Sequence, residues 1–371
     1  MSNLKRHLSN LIGWKTKRKI VVIESDDWGS IRMPSLAAYE RLAKQGVQLG
    51  LGDAGRYNLN DTLATVDDLT ALFETLQKHK DSKGNPAVFT AVSVVANPDF
   101  EKIQQHKFQE YFYEPFTQTL EKYYGNSAAY SLWKEGIQNK LFVPQFHGRE
   151  HLNVAAWMNA LQLNDRDTKL AFDEGCWGIN NKHPFGVNYQ AAFELTDAKE
   201  LEYQRFVIKD GLVLFEKLFG YKASFFVPPN GPFNNALEIT AAEAGIKFMS
   251  GSKIQNESLG LGKTRRRFHY LGQRNRFNQY YLTRNCFFEP SQPGLDWVNN
   301  CLSEMVIAFR WQKPVIISSH RVNYIGVLNE SNREKGLMQL KELLTAALIR
   351  WPEIEFITSA ELGEIITTPV K

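Results

Sequence analysis

Short runs of valine, isoleucine and phenylalanine alternate along this chain with segments whose apolar residues recur three or four apart. The runs have the length and β-branched character of buried strands. They are KIVVIESDDWG (19–29), PAVFTAVSVVAN (86–97), LFVPQFHG (141–148), YKASFFVPPNG (221–231), GIKFMSGS (245–252), YLTRNCFFEP (281–290), KPVIISSH (313–320) and EIEFITSAE (353–361). Helical spacing occupies 66–80, 236–245, 294–311 and 334–351. In the last of these, Leu337, Leu340, Leu344, Ala347 and Leu348 share a face. Strands alternating with helices imply a parallel α/β sheet, since each parallel connection needs a crossover. This number of strands suits a barrel better than an open sheet.

Two connections are long. Residues 98–140 are rich in Phe and Tyr with helical spacing, and 152–220 hold a further helix-rich stretch with the loop DEGCWGINNKHPFGVNYQ (173–190). Loops of such length are functional or carry their own helices. They are expected as insertions over one barrel mouth of a single domain spanning 1–371.

Composition narrows the class. The 371 residues are 43% hydrophobic and 23% charged, as in a soluble globular protein. A net charge of +4 permits an anionic partner without demanding one. The basic run KTRRRFHY (263–270) reads as a solvated face, so nucleic acid is not an expected partner. Cys176, Cys286 and Cys301 have neither disulfide nor metal-ligand spacing and read as small buried hydrophobes. The basic N-terminus lacks the apolar core of an export signal, and no apolar run is long enough to span a membrane. A cytoplasmic protein is expected, with residues 4–19 a solvated leading segment.

The chemistry gathers at the C-terminal ends of the expected strands. Asp26 and Asp27 follow the first, His147 and His151 the third, Pro228–Gly231 the fourth, and His320 the seventh. In a parallel barrel these ends share one face, where loops build the active site. HGREH places two imidazoles at i and i+4, which on a helical turn point the same way. With one carboxylate they make a three-ligand metal site that leaves positions open. In a continuing strand Asp26 and Asp27 would point to opposite faces. They can share a site only if the strand breaks, which Trp28-Gly29-Ser30 makes feasible. One carboxylate then ligates and the other takes a proton. His320 is placed as a general acid for a leaving amine or alcohol. Trp28 stacks on a sugar ring or packs in the core. Arg321 and Asn323 meet substrate or a structural carboxylate. His183 lies in a surface turn.

These residues resemble the motifs of the polysaccharide deacetylase (NodB-homology) family of carbohydrate esterases. Ser25-Asp26-Asp27-Trp28-Gly29 is similar to its T-F-D-D-G turn, and His147-Gly148-Arg149-Glu150-His151 to its H-[ST]-x-x-H. Val227-Pro228-Pro229-Asn230-Gly231 looks like its R-x-P loop, Asp296-Trp297 like its D-x-x-D-W loop, and Ile316-Ile317-Ser318-Ser319-His320 like its Leu-x-His strand. All five occur in the family order. The resemblance implies a distorted (β/α)7 barrel of a long, divergent member. It implies a divalent metal, of the Zn²⁺ type, on Asp27, His147 and His151, with Asp26 as base and His320 as acid. Pro229, Asn230 and Gly231 would border the substrate, and a backbone N–H near Asn230 would hold the oxyanion. Trp297 would line the acyl pocket, with Asp296 orienting His320. Val227 stands where the family has the arginine that holds the base, so another cation, Arg321 or Arg149, is expected there. The implied activity is removal of N-acetyl or another acyl group from a carbohydrate, such as a lipid- or nucleotide-linked sugar. A barrel that binds carbohydrate without turnover, and a deformylase or O-acyl esterase, use the same residues.

Overall fold

The computed structural model describes residues 3–50, 53–125, 127–180 and 183–368. Its main sheet is built from β1 (Lys19–Trp28), β2 (Phe89–Ser93), β3 (Phe142–Phe146), β4 (Phe225–Phe226), β5 (Phe248–Ser250), β6 (Tyr280–Leu282), β7 (Cys286–Phe287), β8 (Val315–His320) and β9 (Ile354–Phe356). Neighbours run β6-β5-β4-β3-β2-β1-β8-β7, and β9 pairs with the start of β1. Every pair is parallel. The expected segment 281–290 therefore supplies two strands rather than one, and they lie at opposite edges of the sheet. Only residues 283–285 join them, a reach of at most about 14 Å. The sheet must curl until its edges nearly meet, which makes the expected distorted barrel.

Alternation along the strands sorts the side chains. Ile20 and Val22 of β1, Val92 of β2, Phe225, Phe248, Leu282 and Ile316 form one apolar cluster inside the curl. Val21, Ile23, Ala91, Val315 and Ile317 point the other way, into the larger core beneath the helices. Burial on both faces is why these strands read as unbroken apolar runs. Helix Ser359–Thr367, started by a capping box at Thr358, closes the floor with Leu362. Above the apolar layer the inward positions turn polar, with Glu24 and then Asp26 on β1, and Ser318 and then His320 on β8. β1 and β8 run in register with Asp26 opposite His320.

Helices Val66–Gln77, Trp297–Arg310 and Glu330–Arg350 cover the outside. The long connections carry their own helices: Phe100–Gln105, Phe116–Tyr124 and Ala128–Gln138 in the first, and Val154–Gln162, Arg166–Asp173 and Leu201–Phe219 in the second. The N-terminal helix Asn3–Ser9 leads into a strap across the barrel. Lys313 holds that strap by donating to the carbonyls of Ile12, Gly13 and Trp14 at 2.9, 2.5 and 2.8 Å. Among the described residues no helix is long and apolar enough to cross a membrane.

Candidate metal centre and active site

The two adjacent acids reach one site because β1 bulges between them. Ser25 faces Ala91 and Trp28 faces Ser93, so β1 has one residue more than β2 over this stretch. Asp27 takes the extra step with φ 74°, a left-handed conformation that Asp tolerates better than most residues, and Gly29 follows at φ 82°. The bulge turns the Asp27 carboxylate towards the same mouth as Asp26.

Asp27 meets the two histidines there. Its Oδ1 lies 3.3 Å from His147 Nε2 and 3.0 Å from His151 Nε2, and one donor atom from each of the three residues lies within 4.8 Å of the others. Bonds of about 2.0–2.1 Å to a tetrahedral cation place neighbouring ligands roughly 3.3 Å apart, matching these contacts. Protonation fits a cation too. His147 Nδ1 sits 2.6 Å from the Val227 carbonyl, which can only accept, so Nδ1 carries the proton. In the neutral ring Nε2 then offers a lone pair towards a carboxylate oxygen. That arrangement repels unless a cation lies between, and a carbonyl on the distal nitrogen is how ligating imidazoles are commonly fixed. Burial lowers the pKa of His151 despite Asp27, and its ring stacks on Trp177 at 6.0 Å. Burial opposes ionisation of Asp27 as well, but protonated His151 and hydrogen bonds from His147 and His151 outweigh it and hold the carboxyl well below its usual range, a role that a cation takes over when both rings are neutral.

Asp26 has a different partner. Arg284, in the short link between β6 and β7, donates Nη1 to Oδ2 at 2.7 Å and Nη2 to Oδ1 at 2.6 Å. Its Nε donates to Glu24 at 2.5 Å. Burial alone would raise the Asp26 pKa; the guanidinium reverses this and keeps it lowered. Arg284 thus stands where a cation was expected from Arg321 or Arg149. Those two are engaged elsewhere, Arg321 with Asp61 at 2.9 Å and Arg149 with Glu150 at 2.6 Å and Asp210 at 2.9 Å.

His320 Nε2 lies 3.9 Å from Asp26 Oδ2, and its Nδ1 lies 2.5 Å from Glu289 Oε1. Burial would lower the pKa of this ring, but Glu289, Asp27 and Asp26 push it up to about 9. Glu289, not Asp296, is the carboxylate that orients it. Asp296 is exposed and caps helix Trp297–Arg310 by accepting from Asn299 N at 3.0 Å. Glu289 in turn accepts from Arg56 and from Asn323 Nδ2, each at 2.9 Å.

A cavity of about 1000 Å³ opens over these groups. Asp26, Asp27, His147, His151, His320, Asn230, Gly231 and Trp297 line it, together with Arg32, Tyr57, Arg284 and Glu289, which sequence reasoning missed. Asn230 and Gly231 turn the chain back from β4 with φ 55° and 88°, while Pro229 is buried behind them. Other expected substrate residues lie away from the cavity. Trp28 packs edge-on to Phe142 in the outer core and donates to Ser25 Oγ. Arg321 and Asn323 are fully buried, one on Asp61 and the other behind Glu289. Glu289 ends an apolar run just as Asp26 and His320 do, so the same rule reaches it. Arg284 has no such signal.

No family model matches the chain, and no curated protein matches it. The solved structures it is similar to include polysaccharide deacetylases. A protein of Mycobacterium smegmatis assigned to that class shares 11% identity, with 97% of this chain and 96% of that one covered and a TM-score of 0.45. The allantoinase PuuE also shares 11%, over 96% of this chain and 94% of its own, at 0.44. A 4-alpha-glucanotransferase from Thermococcus litoralis shares 11%, over 93% of this chain and 40% of its own, at 0.46. These overlaps are too loose to choose between activities, and the choice falls to the chemistry of the site.

Proposed function

We propose that this chain is a metal-dependent hydrolase that removes an acyl group, such as N-acetyl, from an amino sugar. One observation carries the reading: the Val227 carbonyl fixes the His147 proton on Nδ1, leaving Nε2 to converge with His151 Nε2 on one Asp27 oxygen. Asp27, His147 and His151 would hold a divalent cation, and two nitrogens with one carboxylate oxygen suit Zn²⁺. Such a cation polarises an acyl carbonyl and makes a water acidic.

The remaining work belongs to the chain. Asp26, kept ionised by the Arg284 fork, accepts a proton from the attacking water. As the water oxygen bonds to the acyl carbon and the carbon–nitrogen bond breaks, the protonated His320 gives its Nε2 proton to the leaving amine. The proton on Asp26 then has only a 3.9 Å gap to cross to restore His320. The Asn230–Gly231 turn borders the cavity; Gly231 N donates to the Pro228 carbonyl at 3.2 Å, so the Asn230 N–H is the donor left to meet an oxyanion, and Trp297 offers an apolar wall. Arg284 favours turnover over a barrel that merely binds carbohydrate, because the base has its positioning cation even with Val227 in the third motif.

The test is metal analysis together with acetate release from N-acetylated amino sugars. Wild-type protein is expected to bind one divalent ion per chain and to turn over. His147→Ala should lose affinity for the ion by more than the roughly 10–100-fold typical of an outer-shell change, and activity with it. A wild type that binds no divalent metal at micromolar concentration, or a His147→Ala variant as active as wild type, sinks the proposal.

A further inference from the structure

The mouth is built with several arginines, and all but one are matched to carboxylates. Arg284 serves Glu24 and Asp26, Arg56 serves Glu289, and Arg321 serves Asp61. Arg32 lines the same cavity, is only 4% exposed, and makes no salt bridge among the described residues. Its Nε and Nη2 are buried and have no hydrogen-bond partner among the described residues. A buried guanidinium without an acceptor is costly, because lost hydration is not replaced.

The side chain is nevertheless held in place. The backbone on its N-terminal side is pinned by Ile31 N donating to Asn97 Oδ1 at 2.7 Å and by Trp177 Nε1 donating to Ile31 O at 2.6 Å. Its stem lies against Gly178, where a Cβ would come within 2.7 Å of Arg32 Cγ and 3.1 Å of Nε. Its guanidinium sits 4.5 Å over the Tyr57 ring, and that ring meets His320 edge-on at 5.9 Å. A fixed, unmatched planar fork thus stands one aromatic ring from the proposed acid. Planar forks of this kind recognise carboxylate and phosphate oxygens in pairs. A cavity of about 1000 Å³ lies at the upper end for small-ligand sites, with room for a substituent beyond one sugar ring.

We propose that Arg32 is an anion-recognition residue and that the substrate is an acylated amino sugar bearing an oxyanion, either a carboxylate or a phosphate. The inference rests on the deacylase reading for its sugar, but the anion site can be tested without turnover. Metal-free protein, prepared with chelator so that no cation binds the probe, is titrated calorimetrically with inorganic phosphate and separately with glucuronate. Wild type is expected to bind one of them, and Arg32→Gln to bind it at least about tenfold more weakly, the scale of a charge-assisted hydrogen bond. Arg32→Lys, which keeps the charge and loses the fork, should fall between. With metal restored, N-acetylglucosamine, its 1-phosphate and N-acetylglucosaminuronate are compared. The phosphate or the uronate should exceed the neutral sugar in kcat/KM by about 10–100-fold, identifying the source of the anion, and Arg32→Gln should bring that ratio towards one. Absence of anion binding by wild type, or anion binding by folded Arg32→Gln equal to wild type, overturns the proposal. If the variants do not fold, a neutral sugar preferred over both anions by wild type overturns it. Anion binding without deacylation of any substrate would sink the deacylase reading and leave the anion site standing.

Discussion

His320 carries its proton because Glu289 sits 2.5 Å from its Nδ1 and outweighs the burial that works the other way. With a pKa of about 9, the acid form exists below that pH, so deacylation should fall as pH rises through about 9. Glu289→Gln removes the counter-charge. The alkaline limb of the rate profile is then expected to move down towards about 6.5, the ordinary histidine value; a limb that stays put would free His320 from the role of acid. The stability linkage has the same sign. A raised His pKa stabilises the fold fully below about 6.5, and this is lost as pH rises through about 9. Arg284 is bound by a different logic. Arg284→Met leaves Glu24 and Asp26 buried without a counter-charge, and urea denaturation should show a loss of about 3–5 kcal/mol. At this scale the convergence of Asp26, Asp27, His147, His151 and His320 on one mouth was legible because each closes an apolar run or follows one within a few residues, although HGREH is an irregular loop rather than the helical turn its spacing suggested. Of the two readings open for Arg321 and Asn323, the structure places both away from the cavity, Arg321 on the carboxylate of Asp61 and Asn323 behind Glu289. The chain leaves β8 there in a 3-10 turn, Arg321–Asn323, that drives both side chains inward.

Elements decide which of those side chains can meet. The bulge in β1 is the device that lets Asp26 and Asp27 share a mouth, and the sequence showed only the opportunity for it in Trp28-Gly29-Ser30. The split of 281–290 into β6 and β7 was not legible. Its residues are uniformly strand-like, and only the curl of the whole sheet sends the two halves to opposite edges, with Arg284 between them. Helix Glu330–Arg350 reaches the site through one small residue. A Cβ on Gly336 would lie 1.7 Å from the carbonyl oxygen of Asn323, the residue whose Nδ2 supports Glu289. Gly336→Ala must push helix and turn apart, at a cost of about 1–3 kcal/mol. A lowered melting temperature is therefore expected, together with a displaced alkaline limb, although Gly336 touches no substrate. A variant with wild-type stability and pH profile would show the contact to be slack.

For the whole molecule, three ligands from two distant parts of the chain make metal binding a folding reaction as well. At a free ion concentration one hundred times Kd, the folded state should gain about 2.7 kcal/mol, and a chelator should reverse the gain in melting temperature. No shift with Zn²⁺, Co²⁺ or Mn²⁺ would contradict a site shared between β1 and HGREH. The architecture, parallel strands curled under helices, was readable because burial on both faces makes each strand a continuous apolar run. The site's wiring was less readable, since it depends on which strand edges meet. The pairing of β1 with β8 spans almost the entire chain. As the protein leaves the ribosome, β1 is made long before its β8 neighbour, so one apolar strand edge stays bare while everything between them is synthesised. Such edges recruit other chains, and slow, non-local pairing prolongs the hazard. Until β8 arrives, Glu24, Asp26 and Asp27 are acids spaced along the end of a naked strand, which is where charge best discourages edge-to-edge association. The groups proposed to hold a metal and move a proton in the finished barrel are thus the same ones that put charge on the bare edge of the nascent strand.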